Sequence, residues 1–266
     1  MSNKTVTIIL PVHKLNDDYN LMLENAIKSV EPFYVDAKLL IVYPQTLNQE
    51  MIKVLEKIEK NKLEIECHYH YNSSDFVSQV NFGINNCKTE WFSILEVDDE
   101  YKPIWLKSMF EYVKEYPEVD VFLPIVKDIN TKGEFLSFTN ESLWAYGFTD
   151  KQGVLDHNVL LEFQNFQTSG ALYKTNVIKE NGLFKDNIKL VFGLEFLLRL
   201  TSKNVQIMTV PRIGYQHVNF REDSLFWLYK HDEKMKLNEK EVKFWIDTAK
   251  KEFFYVNKRD INYVES

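Results

Sequence analysis

The chain has 266 residues, 45% hydrophobic and 14% aromatic, enough apolar side chain to bury a large core, which excludes disorder as its main state. Its 39 acidic residues exceed the 32 lysines and arginines, a formal net charge of -7, which argues against a basic nucleic-acid binder. Two cysteines, Cys67 and Cys87, make neither a disulfide framework nor a CxxC pair. The apolar run ending at Pro11 is too short for a signal peptide or a membrane span. A cytoplasmic protein with no transmembrane segment is expected.

The first half alternates short apolar, β-branched runs with amphipathic stretches, the pattern of βαβ units and a mainly parallel sheet. Strands are predicted over 6–12, 38–43, 64–69 and 91–97. Between them, Leu23, Ala26, Ile27 and Val30 form one helical stripe, and Ile52, Leu55 and Ile58 form another, entered through Thr46 and Gln49 as a capping box. A third helix covers 76–86. Beyond residue 100, Pro103 suits a helix first turn, and Leu106, Phe110 and Val113 share a face until Pro117. A strand over 119–126 and a turn at Thr131-Lys132-Gly133 lead to a strand over 134–138.

Residues 140–168, rich in aromatics and amides but without periodicity, predict an irregular excursion over a site where an acceptor binds. Trp144, Tyr146, Phe148, Phe163 and Phe166 there suit stacking on sugar or base faces. The chain continues with Gly170-Ala171-Leu172-Tyr173, a helix from Asn176 that stops at Gly182, a helix over 194–202, a strand over 205–210, and helices over 223–236 and 239–254. The expected organisation is one domain, 1–222, with a C-terminal helical extension, 223–266, packed on it.

Sheets of this kind bind ligands at the carboxyl ends of their strands. The richest such loop is Glu96-Val97-Asp98-Asp99-Glu100, whose four carboxylates repel one another unless a positive group joins them. Mg²⁺ or Mn²⁺ bridging to phosphate oxygens meets that need. His217 is the histidine best placed for a metal or a phosphate oxygen, and His13 lies at the end of the first strand. Arg221 and Lys174 are candidate phosphate partners. His68 and His70 share a strand face that Cys67 does not, which argues against a zinc site. The absence of GxGxxG, GKS/T, HExxH and GxSxG weighs against dehydrogenase, P-loop, zincin and esterase chemistry.

Val6-Thr7-Ile8-Ile9-Leu10-Pro11-Val12-His13, then Asn81-Phe82-Gly83-Ile84, then Glu90 through to Asp98-Asp99 form an ordered series. It continues with Ser169-Gly170-Ala171-Leu172-Tyr173, Asn181-Gly182-Leu183-Phe184, Glu195-Phe196-Leu197-Leu198-Arg199, and Tyr215-Gln216-His217 with Ser224. From Thr5 to Ser224 this series resembles the nucleotide-sugar glycosyltransferases of the GT-A fold, family 2 type. The resemblance implies a Rossmann-like α/β fold, a mainly parallel sheet flanked by helices, with C-terminal helices. It also implies metal-dependent transfer of a sugar from a nucleoside diphosphate donor to a hydroxyl acceptor, be that a glycan, a lipid carrier, a protein or a modified nucleobase. Donor binding then falls to Pro11, Val12, His13, Glu96, Asp98 and His217, and Mn²⁺ or Mg²⁺ to Asp98, Asp99 and His217.

Three positions depart from the pattern. Pro44-Gln45-Thr46 stands where many relatives carry acidic residues that hold the nucleoside, and Glu96 replaces the usual first Asp of the metal motif. The Glu-Asp pair that supplies the base in inverting relatives falls on Phe192-Gly193. Glu195 is the nearest substitute as general base, against an ion-pair role with Arg199 at i+4. Asp156 and Asp186, in loops, are further candidates. The missing pair also admits a second function, a catalytically weakened GT-A domain serving as a carbohydrate-binding or scaffold module.

Overall fold

The computed structural model describes residues 6–30, 36–58, 63–70, 75–140, 153–162 and 166–252. Its central strand β1 (Val6–Pro11) is buried at every residue, as a strand covered by helices on both faces must be. β1 runs parallel to β2 (Ala37–Pro44) on one side and to β4 (Trp91–Ile94) on the other, and β3 (Glu64–His70) continues the sheet beyond β2. All four predicted strands form. The fourth ends at Ile94 rather than at residue 97, and the chain then turns, with the Asp99 amide donating to the Glu96 carbonyl at 3.1 Å.

The connecting helices start where local chemistry caps them. α1 (Asp17–Ser29) begins at Asn16, whose side chain accepts the Tyr19 amide, and it buries Leu23, Ala26 and Ile27. α2 (Asn48–Lys57) departs from expectation: Thr46 lies inside a 3₁₀ turn, Gln45–Leu47, so no capping box forms. Met51 is the buried residue of α2, and Ile52 is exposed. α3 (Phe76–Asn86) is capped by Asp75. Its Gly83 lies against β1, where an added Cβ would stand 2.5 Å from Ile9, so only glycine allows this close helix–sheet contact.

The second half contains β5 (Glu100–Tyr101), α4 (Trp105–Glu115), β6 (Val121–Ile129), β7 (Phe135–Thr139), α5 (His157–Glu162) and β8 (Leu172–Lys174). It closes with α6 (Thr175–Asn181), α7 (Phe192–Ser202), β9 (Ile207–Val218), α8 (Leu225–His231) and α9 (Glu239–Glu252). Among the described residues the sheet order is β3-β2-β1-β4-β8-β6-β9-β5, with β7 paired to β6. β8 is antiparallel to both β4 and β6, while β9 is parallel to β6. Alternation along β1 sends Val6, Ile8 and Leu10 into a core with residues of α1, α2 and α4, and Ile9 into a second core with residues of α3, α6 and α7.

β9 is longer than predicted. Pro211 reads as the end of a strand, yet the ladder to β6 shifts register after Pro124↔Val210 and resumes at Ile125↔Ile213, passing the proline in a bulge. This extension brings His217 opposite Asp128. Trp144, Tyr146, Phe148, Phe163 and Phe254 lie outside the described residues. Among the described residues no helix is long and apolar enough to cross a membrane.

Candidate active site

The chain leaves β1 for β2 and β3 on one side and returns to β4 on the other, which opens a crevice at the carboxyl ends of β1 and β4. A cavity of about 700 Å³ lies there. Its lining includes Pro11 at the end of β1 and His13 beyond it, Glu96 and Asp98 after β4, the start of α7, and His217 and Arg221 in and after β9. Val12, expected with Pro11 and His13, is instead buried in the core, where its carbonyl accepts the Gln79 amide.

Beneath the cavity, Asp99 is 1% exposed and accepts hydrogen bonds from the Val218 amide at 2.9 Å and from His217 Nδ1 at 3.0 Å. The Glu96 carboxylate accepts the Ser169 hydroxyl at 2.6 Å, and its backbone amide donates to the Tyr215 hydroxyl oxygen at 3.0 Å. Gly170 makes that second contact possible. It has φ +78°, and an added Cβ would stand 2.5 Å from the Tyr215 ring.

Ligand atoms of Glu96, Asp99 and His217 all lie within 4.8 Å of one another. Burial, then the Asp99 charge, pushes Glu96 up to about 7. Burial opposes charge on the His217 ring, but Asp99, Glu96 and Asp98 outweigh it and raise its pKa to about 10. Asp98, expected among the metal ligands, pairs with Arg221 at 2.9 Å instead. Burial and Asp99 together still raise it to about 6.

Arg221 extends this into a second network that the sequence did not reveal. It binds Asp223 at 2.8 Å and stands 4.7 Å over the Tyr19 ring. Asp223 also accepts the Lys14 ammonium at 2.9 Å and the Tyr19 hydroxyl at 2.8 Å, and the Tyr19 oxygen lies 3.2 Å from His13 Nε2. Lys14, Tyr19 and Asp223 belong to no motif quoted from the sequence. The cue for Lys14 was its place next to His13. Ser224 caps α8 and lines the cavity, as does Phe166.

Three candidates fall elsewhere. Lys174 pairs with Asp120 at 3.9 Å and is not part of the cavity lining. Asp156 and Asp186 are absent from that lining too. Glu195 is fully buried, bound by Arg199 at 2.9 Å and by Lys185 at 3.1 Å. The same Arg199 holds the carbonyls of Asn181, Gly182 and Leu183, so this carboxylate anchors a core ion pair rather than facing an acceptor. Phe192 and Gly193 do line the cavity.

Residues 8–182 match the family model described as Glycosyl transferase family 2. The chain belongs to this family. The matched segment carries Pro11, His13, the acidic loop and Ser169 to Gly182, while the family 2 chain draws His217 and Arg221 from beyond it. No curated protein sequence matches the chain. Among solved structures it resembles S. aureus TarS 1-349 in complex with UDP-GlcNAc, with a TM-score of 0.64 at 16% identity over 94% of this chain and 71% of that one. S. aureus TarS 1-349 in complex with UDP gives 0.61 at 16% identity over 96% of this chain and 73% of that one. At such identity the likeness establishes the fold, which is GT-A.

Proposed function

We propose that this family 2 chain moves a sugar from a nucleoside diphosphate donor to a hydroxyl acceptor, with inversion and with a divalent metal. The observation that carries this reading is the convergence of Glu96, Asp99 and His217 at the floor of a crevice whose lining includes His13 and Arg221. Two carboxylates and one imidazole within 4.8 Å suit Mn²⁺, and Mg²⁺ less well because of the nitrogen. Glu96, Asp99 and His217 would hold the ion, and His217 would have to be neutral to do so. The metal supplies neutralising charge to the departing diphosphate.

The chain's own groups do the rest. Arg221 pairs with the acidic loop at Asp98, and Asp98 and Asp223 fix its guanidinium from two sides. His13 and Arg221 line the same cavity, and burial beside Arg221 lowers the His13 pKa, so the positive charge a diphosphate meets there is the guanidinium of Arg221. The TarS structures contain UDP and UDP-GlcNAc, which makes uridine donors the first to try. The acceptor class, among glycan, lipid carrier, protein and modified nucleobase, is left to experiment.

One observation favours the second reading, a weakened domain that binds carbohydrate or serves as a scaffold: the wall at Phe192, Gly193 and Leu194 carries no carboxylate. A thermal-shift panel of nucleotide sugars with Mn²⁺ or chelator, followed by assay of nucleotide release, separates the two. Metal-dependent stabilisation with release supports the transferase. Stabilisation by glycans with no release from any donor supports the binding module.

A further inference from the structure

One buried carboxylate of the cavity belongs neither to the acidic cluster nor to the Arg221 network. Asp128, in β6, is 4% exposed and lines the cavity. Its partners are neutral. Oδ2 accepts the Thr139 hydroxyl at 2.6 Å and the Ser137 hydroxyl at 3.1 Å, and Oδ1 accepts the Asn219 side-chain amide at 3.1 Å. Among the described residues no ion pair joins it to a cation. Burying a carboxylate without a counter-charge costs folding free energy, so packing alone does not account for Asp128. Its two oxygens offer about four acceptor sites, and these three bonds leave one on Oδ1.

Strand register fixes where that site lies. Asp128 stands opposite Ser137 of β7 on one side and His217 of β9 on the other. Side chains in register on neighbouring strands share a face, with the strands about 4.8 Å apart. His217 in turn meets Asp99 at 3.0 Å. Ser137, Asp128 and His217 therefore form a row that runs from β7 to the acidic cluster. Ser137 and Asn219 line the cavity with Asp128, and Phe220, the next residue, adds an exposed aromatic ring to the same lining.

We propose that Asp128, Ser137 and Asn219 form the subsite for the hydroxyls of the transferred sugar, an assignment that rests on the glycosyltransferase reading above. The sugar is bonded directly to the diphosphate, so its subsite has to adjoin the cluster, and Asp128 is the residue beside His217 in the ladder. An ionised carboxylate only accepts hydrogen bonds, so Asp128 takes a sugar hydroxyl as donor, while the Ser137 hydroxyl can donate or accept. Phe220 offers the apolar surface that the C–H face of a sugar needs. Such a subsite selects by hydroxyl configuration, because a sugar without the matching hydroxyl leaves the carboxylate short of a partner.

The test is titration calorimetry on the whole chain with Mn²⁺, comparing UDP, GDP and TDP each with its sugar conjugates. Asp128→Asn is expected to bind the free diphosphate within about twofold of the unaltered chain and its sugar conjugate about tenfold or more weaker. Its preference between sugars that differ at a single hydroxyl should narrow as well. If Asp128→Asn does not fold, Ser137→Ala decides, since Ser137 is exposed: the conjugate should bind a few-fold weaker and the free diphosphate unchanged. Conjugate affinity that stays the same, or falls in step with that of the free diphosphate, overturns the subsite alone. No binding of any conjugate by the unaltered chain overturns the transferase reading and the subsite with it.

Discussion

Asp99 and His217 stand 118 residues apart in the chain and 3.0 Å apart in the fold. The reason is a short antiparallel pairing: β5 follows the acidic loop and sets Glu100 opposite Gln216, which leaves Asp99 facing His217. The acidic loop is thus fastened to β9 by the ladder, by the Val218 amide and by the imidazole together. A histidine distant in sequence thereby becomes part of a cluster that begins at the end of β4.

If that cluster holds the metal, UDP should bind at least about tenfold tighter with Mn²⁺ than with chelator. Asp99→Asn should abolish the difference. Asp98→Asn should largely preserve it, since Asp98 is directed at Arg221. Titration calorimetry checks all three, and equal affinity of the unaltered chain in both buffers removes the metal from the site.

The His217 ring titrates at about 10 in the fold against 6.5 for a free imidazole. Its ion pair with Asp99 therefore adds stability in full below pH 6.5, and that stability is lost as pH rises through about 10. His217→Asn in chelator should melt well below the unaltered protein at about pH 6 and nearly with it at about pH 10.5. Thermal melts at the two pH values decide; a gap that does not shrink contradicts the ion pair.

Glu195→Gln should act on stability. Removing the carboxylate leaves Arg199 and Lys185 without their shared counter-charge beside a buried helix face. A loss of about 3–5 kcal/mol is expected in urea unfolding. Nucleotide release per folded molecule should stay within a few-fold of the original, and a fall of two or more orders of magnitude at unchanged stability would return the base to Glu195.

Gly170→Ala tests the link between the segment after residue 168 and the acidic loop. The backbone there has φ +78°, and the new methyl would meet the Tyr215 ring at 2.5 Å. Strain and overpacking together should cost about 2–4 kcal/mol. Because the Tyr215 hydroxyl accepts the Glu96 amide, metal-dependent UDP affinity should fall as well. Unfolding and calorimetry on one preparation measure both effects.

The two-residue strand Glu100–Tyr101 and the helix His157–Glu162, inside the stretch read as irregular, were too short to show a period, but most of the order of strands and helices was legible because hydrophobic period and capping are local properties. α3 is an example: Asp75 before a stretch with Val77, Val80 and Ile84 on one face gives its start and its buried side without reference to the rest of the chain. The length of β9 was not legible. Pro211 removes a donor from the ladder, and only the neighbouring strand β6, itself interrupted at Pro124, shows that the ladder resumes.

The sequence by itself determined that carboxylates crowd the end of the fourth strand, that the sheet is mainly parallel, and that Pro11 and His13 lie at the carboxyl end of the first strand. Those facts depend on neighbours within a few residues. Arg199 as a partner of Glu195 is a local i+4 relation, but the more distant cations were decided only by the tertiary structure: His217 for Asp99, Arg221 for Asp98 and Lys185 for Glu195. Coulomb attraction falls with distance and rises with burial, and for pairs such as Asp99 with His217 both are set by strand register and bulges across more than a hundred residues, which no local pattern encodes.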